Sequence, residues 1–135
     1  CIVDANFSTL WIEEKNISKH ALLAFLNSAW TAAALEYSAS VMGGGALKVE
    51  ATHLRRLPIP SLSPDTTSCL TRLGRSLVRA KSEEKAQAIL YEIDMEVASA
   101  ALGRAAVEDD VSALRTLALS GRTKRDMHKS RGRAK

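Results

Sequence analysis

Two helix-start signals stand close together in the second half of this chain, and the residues between them leave little choice of local fold. Ser63-Pro64-Asp65 supplies a capping hydroxyl, a proline suited to the first helical position and an acid for the first turn. Leu70, Leu73, Leu77 and Ala80 come next at helical spacing and predict one buried stripe. Ser82-Glu83-Glu84 then restarts a helix almost at once, with Ala86, Ile89, Leu90, Ile93, Val97 and Ala101 on one face and Gly103 as a left-handed stop. So short a link folds two amphipathic helices back on each other as a hairpin. A last helix is expected over residues 107–120, with Val111, Leu114 and Ala118 inward and Gly121 ending it.

The first half is organised differently. Residues 2–12, IVDANFSTLWI, are apolar and partly β-prone and suit an entering strand. Ser18 is placed to cap a helix in which Leu22, Leu23, Leu26, Ala29, Trp30, Ala33 and Ala34 recur at helical spacing to about residue 38. Few charges interrupt it, so a central buried helix is expected. Gly43, Gly44 and Gly45 break the chain, and residues 46–50 form a brief extended segment. Thr52 is placed to cap a turn or two, which Pro58 and Pro60 stop by lacking an amide donor and disfavouring helix before them.

The fold expected is therefore mainly α with a small β element: a central buried helix, short strands near the N-terminal half, a helical hairpin and a final helix. The 46% of hydrophobic and 25% of charged residues are ordinary for a globular domain, and few aromatics mean a core of small and aliphatic side chains. Residues 1–121 are expected to form one domain. The start at Cys1, with no signal segment behind it, is read as a C-terminal piece of a larger protein. No apolar run approaches the roughly 18 residues of a membrane span. Two cysteines, Cys1 and Cys69, make no disulfide framework, so a cytoplasmic home and a buried Cys69 thiol are expected.

The net charge of +4 is unevenly divided. From residue 122 onward there are seven cations (Arg122, Lys124, Arg125, Lys129, Arg131, Arg133 and Lys135) against one acid, Asp126, a net of +6. The remaining twelve cations and fourteen acids leave −2 for the rest. With almost no apolar residues, residues 122–135 are expected to be a flexible basic tail. Such an arm either contacts nucleic-acid phosphates or is a solvated bystander.

Several chemistries find no residues to carry them. His20, His53 and His128 are far apart and lack the paired spacing of a zinc motif. No serine stands in a nucleophile-elbow setting. The acids Glu13 and Glu14, Glu83 and Glu84, and Asp109 and Asp110 are sequence neighbours, which point different ways on a helix and suit solvated first turns. The triple glycine comes after a helix and precedes a strand, the reverse of a dinucleotide cradle. No catalytic residue and no metal site are expected in this chain.

LLAFLNSAW, followed by GGGALKVEATHLRRLPIP and preceded by DANFSTLWI, resembles the C-terminal target-recognition region of adenine-specific DNA methyltransferases of restriction-modification and related phage-defence systems. The residues that carry the resemblance are Leu26, Asn27 and Ser28, then Gly43, Gly44 and Gly45, Leu47 and Lys48, and finally Leu57, Pro58, Ile59 and Pro60. It spans residues 2–60, and the Tyr91-Glu92-Ile93-Asp94 helix is similar to the family's closing helices. The resemblance implies a DNA-recognition and scaffold region with double-stranded DNA as partner. It also implies S-adenosylmethionine in an upstream methyltransferase domain of the same chain. The family holds its target adenine in an Asn/Asp-Pro-Pro-Tyr/Phe loop, whereas the three prolines here, Pro58, Pro60 and Pro64, include no adjacent pair. Catalysis, on this resemblance, lies upstream.

The DNA-facing candidates are Lys48, His53, Arg55 and Arg56 around Gly43, Gly44 and Gly45, where backbone can approach a duplex closely. Base-edge reading, phosphate contact and a plain surface role all remain open for them. Arg122, Lys124, Arg125, Lys129, Arg131 and Arg133 are the tail's candidates for phosphate contact. Leu-Pro-Ile-Pro exits also occur in the non-catalytic specificity subunits of type I restriction systems, and the amphipathic helices equally suit a protein-interaction module. Both remain alternatives.

Overall fold

A computed structural model describes residues 17–41 and 47–132, with side chains for 17–39 and 47–123. Within them the protein is mainly helical with a small β element. The order is α1 (Lys19–Leu26), α2 (Ala29–Ser38), β1 (Ser40–Val41), β2 (Leu47–Lys48), α3 (Ala51–Arg55), α4 (Pro64–Val78), α5 (Glu83–Leu102) and α6 (Glu108–Gly132). The strands pair antiparallel, Ser40 opposite Lys48 and Val41 opposite Leu47. The entering strand expected over residues 2–12 and the glycines Gly43, Gly44 and Gly45 lie outside the described residues.

The expected helical hairpin is α4 packed on α5. Ser63 accepts the Thr66 amide at 3.0 Å ahead of Pro64, and Ser82 accepts the Lys85 amide at 3.4 Å. Gly103 ends α5 at φ 65°, a left-handed conformation that any residue with a Cβ resists. Arg104 then grips the Asp110 carboxylate through both Nη atoms at 2.9 Å, and Asp110 accepts the Val107 amide at the start of α6.

The helix expected over residues 19 to about 38 is two helices. Ser28 is extended (φ −74°, ψ 154°), and its hydroxyl donates to the Phe25 carbonyl at 2.6 Å and accepts the Thr31 amide at 3.3 Å. The Thr31 hydroxyl donates to the same carbonyl at 2.8 Å. Serine and threonine thus offer the backbone partners that a continuous helix would have supplied from itself. Asn27 Nδ2 donates to the Leu23 carbonyl at 2.9 Å, satisfying another group at the end of α1.

Two hydrophobic clusters share α5. One joins Ala21, Ala24 and Phe25 of α1 to Leu70 and Leu73 of α4 and Ile93 and Val97 of α5. The other joins Ala98, Ala106 and Val111. Between them lies Asp94, 4% exposed. Its Oδ1 accepts the Ala29 amide at 2.6 Å, at the N-terminus of α2, and its Oδ2 meets Arg115 of α6 through Nε at 2.9 Å and Nη2 at 2.8 Å. The Arg115 guanidinium also lies 5.4 Å from the Tyr91 ring centroid.

Three further expectations differ from the structure. Gly121 does not stop α6, which runs on to Gly132, so the backbone of residues 122–132 is helical where a flexible tail was expected. Gly121 has no positive φ and is buried. A Cβ there would come within 2.7 Å of Glu36 Cβ, so the glycine serves close packing of α6 on α2. Glu50, not Thr52, is the residue capping α3. Cys69 is a half-buried free thiol with Arg72 Nη2 3.5 Å away, not a buried one, because it sits at the α4 edge rather than on the Leu70–Leu73 stripe.

Gly74 fixes how closely α1 and α4 approach, since a Cβ there would stand 2.0 Å from the His20 carbonyl oxygen. Gly74→Ala should therefore destabilise by about 3 kcal/mol, although alanine in an open helix interior gains up to about 1 kcal/mol over glycine. Urea unfolding measures the sign, and a stabilised variant would mean the helices do not meet there. Asp94→Ala should cost about 2–3 kcal/mol, because it leaves the Ala29 amide at the start of α2 without its acceptor and a half-buried arginine without its partner. A double-mutant cycle with Arg115→Ala isolates the pair. Additive losses would show that the two side chains do not support each other.

Candidate nucleic-acid interface

The segment from β2 to the start of α4 carries the cations singled out in the sequence. The β1–β2 pairing places Lys48 next to the backbone that enters α3. Glu50 is extended (φ −101°, ψ 163°), and its amide donates to His53 Nδ1 at 2.9 Å, so the histidine side chain closes the first turn of α3. His53 is half-buried and this nitrogen is committed to the backbone, leaving only the other ring nitrogen to meet a ligand. Its first role is local architecture.

Lys48 Nζ lies 2.6 Å from Glu50 Oε1, with both side chains about half exposed. The hydrogen bond and the lysine's charge hold the Glu50 carboxyl below its ordinary range, and the carboxylate raises the Lys48 ammonium in return. The charge of Lys48 is therefore already balanced by its neighbour. Arg55 and Arg56 are exposed at the end of α3 and make no ion pair among the described residues. They are the two most available cations here.

The proline exit beyond α3 holds this surface to the helical body. Trp30 Nε1 donates to the Pro58 carbonyl at 2.6 Å, tying the exit to α2. Leu57 is half-buried, whereas Ile59 is 65% exposed. Trp30, Tyr37, Pro58, Leu114 and Leu117 line an open apolar groove of about 240 Å³ between α2, the exit and α6. The trailing helices thus do not cover Lys48, Arg55 or Arg56.

The tail candidates divide. Arg122 is exposed on α6, while Lys124, Arg125, Lys129 and Arg131 lie on its helical backbone, and Arg133 is outside the described residues. Among the described residues no three histidine, cysteine, aspartate or glutamate side chains group to hold a metal, and no helix is long and apolar enough to cross a membrane. The Asp94–Arg115 junction and the Trp30–Pro58 bond were not singled out from the sequence. Asp94 did leave a signal, an acid set beside Ile93 inside an otherwise apolar stripe. No protein-family model, curated protein or solved structure matches the chain.

The depressed Glu50 carboxyl has a pH consequence. A carboxyl held below its unfolded value of about 4.3 adds stability above that value, which is lost as pH falls through the lower folded one. The Lys48–Glu50 contact should thus persist at neutral pH and open only in acid. Carbon-detected NMR should give a Glu50 midpoint below the ordinary glutamate range that returns to it in Lys48→Met. A midpoint indifferent to that substitution would show the pair does not form in solution.

Proposed function

We propose that this chain supplies the DNA-recognition and scaffold portion of a site-specific, S-adenosylmethionine-dependent adenine DNA methyltransferase of a restriction-modification system. On this proposal it works in the cytoplasm beside an upstream catalytic domain of the same protein. The observation that carries the proposal is the exposed Arg55–Arg56 pair, presented at the end of a short helix whose exit is tied to the body by Trp30 and Pro58. It lies within the segment whose order of motifs resembles the recognition region of that family.

In such an enzyme the target adenine leaves the base stack to reach the transfer site, because the duplex hides its amino group from an enclosed pocket. A recognition region holds the duplex in register while this happens. Arginine suits the task, since its planar fork bonds phosphate oxygens or the O6/N7 edge of guanine in two places at once. Lys48 would approach the same backbone with Glu50 beside it, and His53 would keep α3 in shape. S-adenosylmethionine would bind in the catalytic domain and supply the methyl group, so no residue of this chain is assigned to it.

Arg55→Ala with Arg56→Ala should weaken binding to duplex DNA while the circular-dichroism melt stays unchanged. Two lost phosphate contacts would reduce the slope of log K against log salt by about 2. Loss confined to one sequence would instead mark base reading. Unchanged affinity at low and moderate salt would remove both arginines and, with them, the support for the proposal.

A further inference from the structure

We infer that the exposed face of α4 is a second phosphate-binding surface, on which Arg72, Arg75 and Arg79 track one strand of a DNA duplex. The inference rests on the DNA partner proposed above, but on residues outside both the α3 segment and the basic tail. Arg72 and Arg75 lie on α4 and Arg79 is its C-cap, all three exposed, and the spacings of three and four residues put them on one helix face. Leu70, Leu73 and Gly74 are buried on the opposite face, against α1 and α5. The row is therefore held on a rigid support and not on a loop.

Charge along this stretch is one-sided. Residues 66–82 contain Arg72, Arg75, Arg79 and Lys81 and no acid. None of these four makes an ion pair among the described residues. Asp65 is the acid in the first turn of α4, about 10 Å along the axis from Arg72 at 1.5 Å per residue. Glu92 and Glu96 line the groove that Arg72 also lines, so Arg72 is the most shielded of the three and Arg75 and Arg79 lead.

Spacing favours a duplex over other polyanions. From Arg72 to Arg79 the helix rises about 10 Å. One DNA strand presents a phosphate about every 3.4 Å of axial rise, but it also winds around that axis, so a helix following the strand over this length passes about two phosphates with three arginines. A regular line of cations fits a regular line of anions. The guanidinium fork bonds phosphate oxygens in two places at once, so a row of arginines suits a polyphosphate backbone.

The test compares the chain with Arg72→Gln, Arg75→Gln and Arg79→Gln combined, using fluorescence anisotropy on a mixed-sequence duplex over a range of salt. Glutamine keeps helix propensity close to that of arginine, so the melt should hold. Two lost phosphate contacts should flatten the salt slope by about 2. The corresponding triple lysine variant should restore most of that slope, which a packing role for arginine would not allow. A duplex bound with full slope by the glutamine variant, but not by Arg55→Ala with Arg56→Ala, would overturn the α4 surface and leave the proposed function standing. No duplex binding by the unaltered chain would overturn both. Competition by polyglutamate as effective as by duplex would make α4 a face for acidic protein and overturn its assignment to DNA.

Discussion

A single buried carboxylate decides how this bundle goes together. Asp94 projects from α5 between two hydrophobic clusters and meets an amide of α2 on one side and a guanidinium of α6 on the other. An unpaired carboxylate at that depth would be costly to desolvate, so its partners must arrive together. The amide is available only because α1 stops at Leu26 and α2 restarts at Ala29, and the guanidinium only because α6 packs along α2 and α5. The helix break, the packing of α6 and the burial of Asp94 are therefore one structural decision. Arg115 remains partly exposed, with the Tyr91 ring beneath it, which lessens what its own burial would cost.

The same dependence explains which elements were legible in the sequence. Ser18, Ser63, Ser82 and Gly103 act through atoms within a few residues of themselves, and each does in the structure what its local chemistry announces. The break at Asn27 and Ser28 is capped locally, but the Ala29 amide it frees finds its acceptor only in Asp94, 65 residues away. Helical periodicity continues across that break, because Trp30 and Ala33 still face neighbouring helices, so the apolar pattern conceals it. Gly121 shows the opposite confusion. In sequence it looks like the left-handed stop that Gly103 is, yet its role is to let α6 lie against Glu36 of α2. Only the partner helix distinguishes the two glycines.

The candidate interface was legible in its charges and obscure in their balance. Arg55 and Arg56 are exposed, as their place before a proline-rich exit implies. Lys48 and His53 belong to the same run of residues, yet one is neutralised by Glu50 and the other is turned to its amide. A residue's type states which ligand it could hold. Its neighbours at the next turn decide whether it is free to do so, and that depends on the register in which β2 feeds α3. The α4 arginines stand on the solvated side of an amphipathic helix, where nothing local sets one apart from another surface arginine.

Charge placement also bears on how the helices could serve a duplex without losing their own cohesion. Apart from residues 122–135 the chain is slightly acidic, so a uniformly attractive field is absent, and on the proposed function contact with a duplex would have to come from local rows of cations. Such rows are effective only where the backbone beneath them is fixed, since ordering a long side chain and its support together would consume the Coulomb gain. Arg55 and Arg56 have their support in the tie between Trp30 and Pro58, and the α4 row in its buried opposite face. α6 is polarised along its length. Glu108, Asp109 and Asp110 stand at its N-terminus, where the helix dipole favours acids, and Arg122 with the cations beyond stands toward its C-terminus, where it favours bases. The placement of charge that stabilises α6 as a helix thus also sends its positive end away from the acidic start. Cohesion and the proposed contact with a polyanion would be compatible, because they would use opposite ends of α6 and opposite faces of α4.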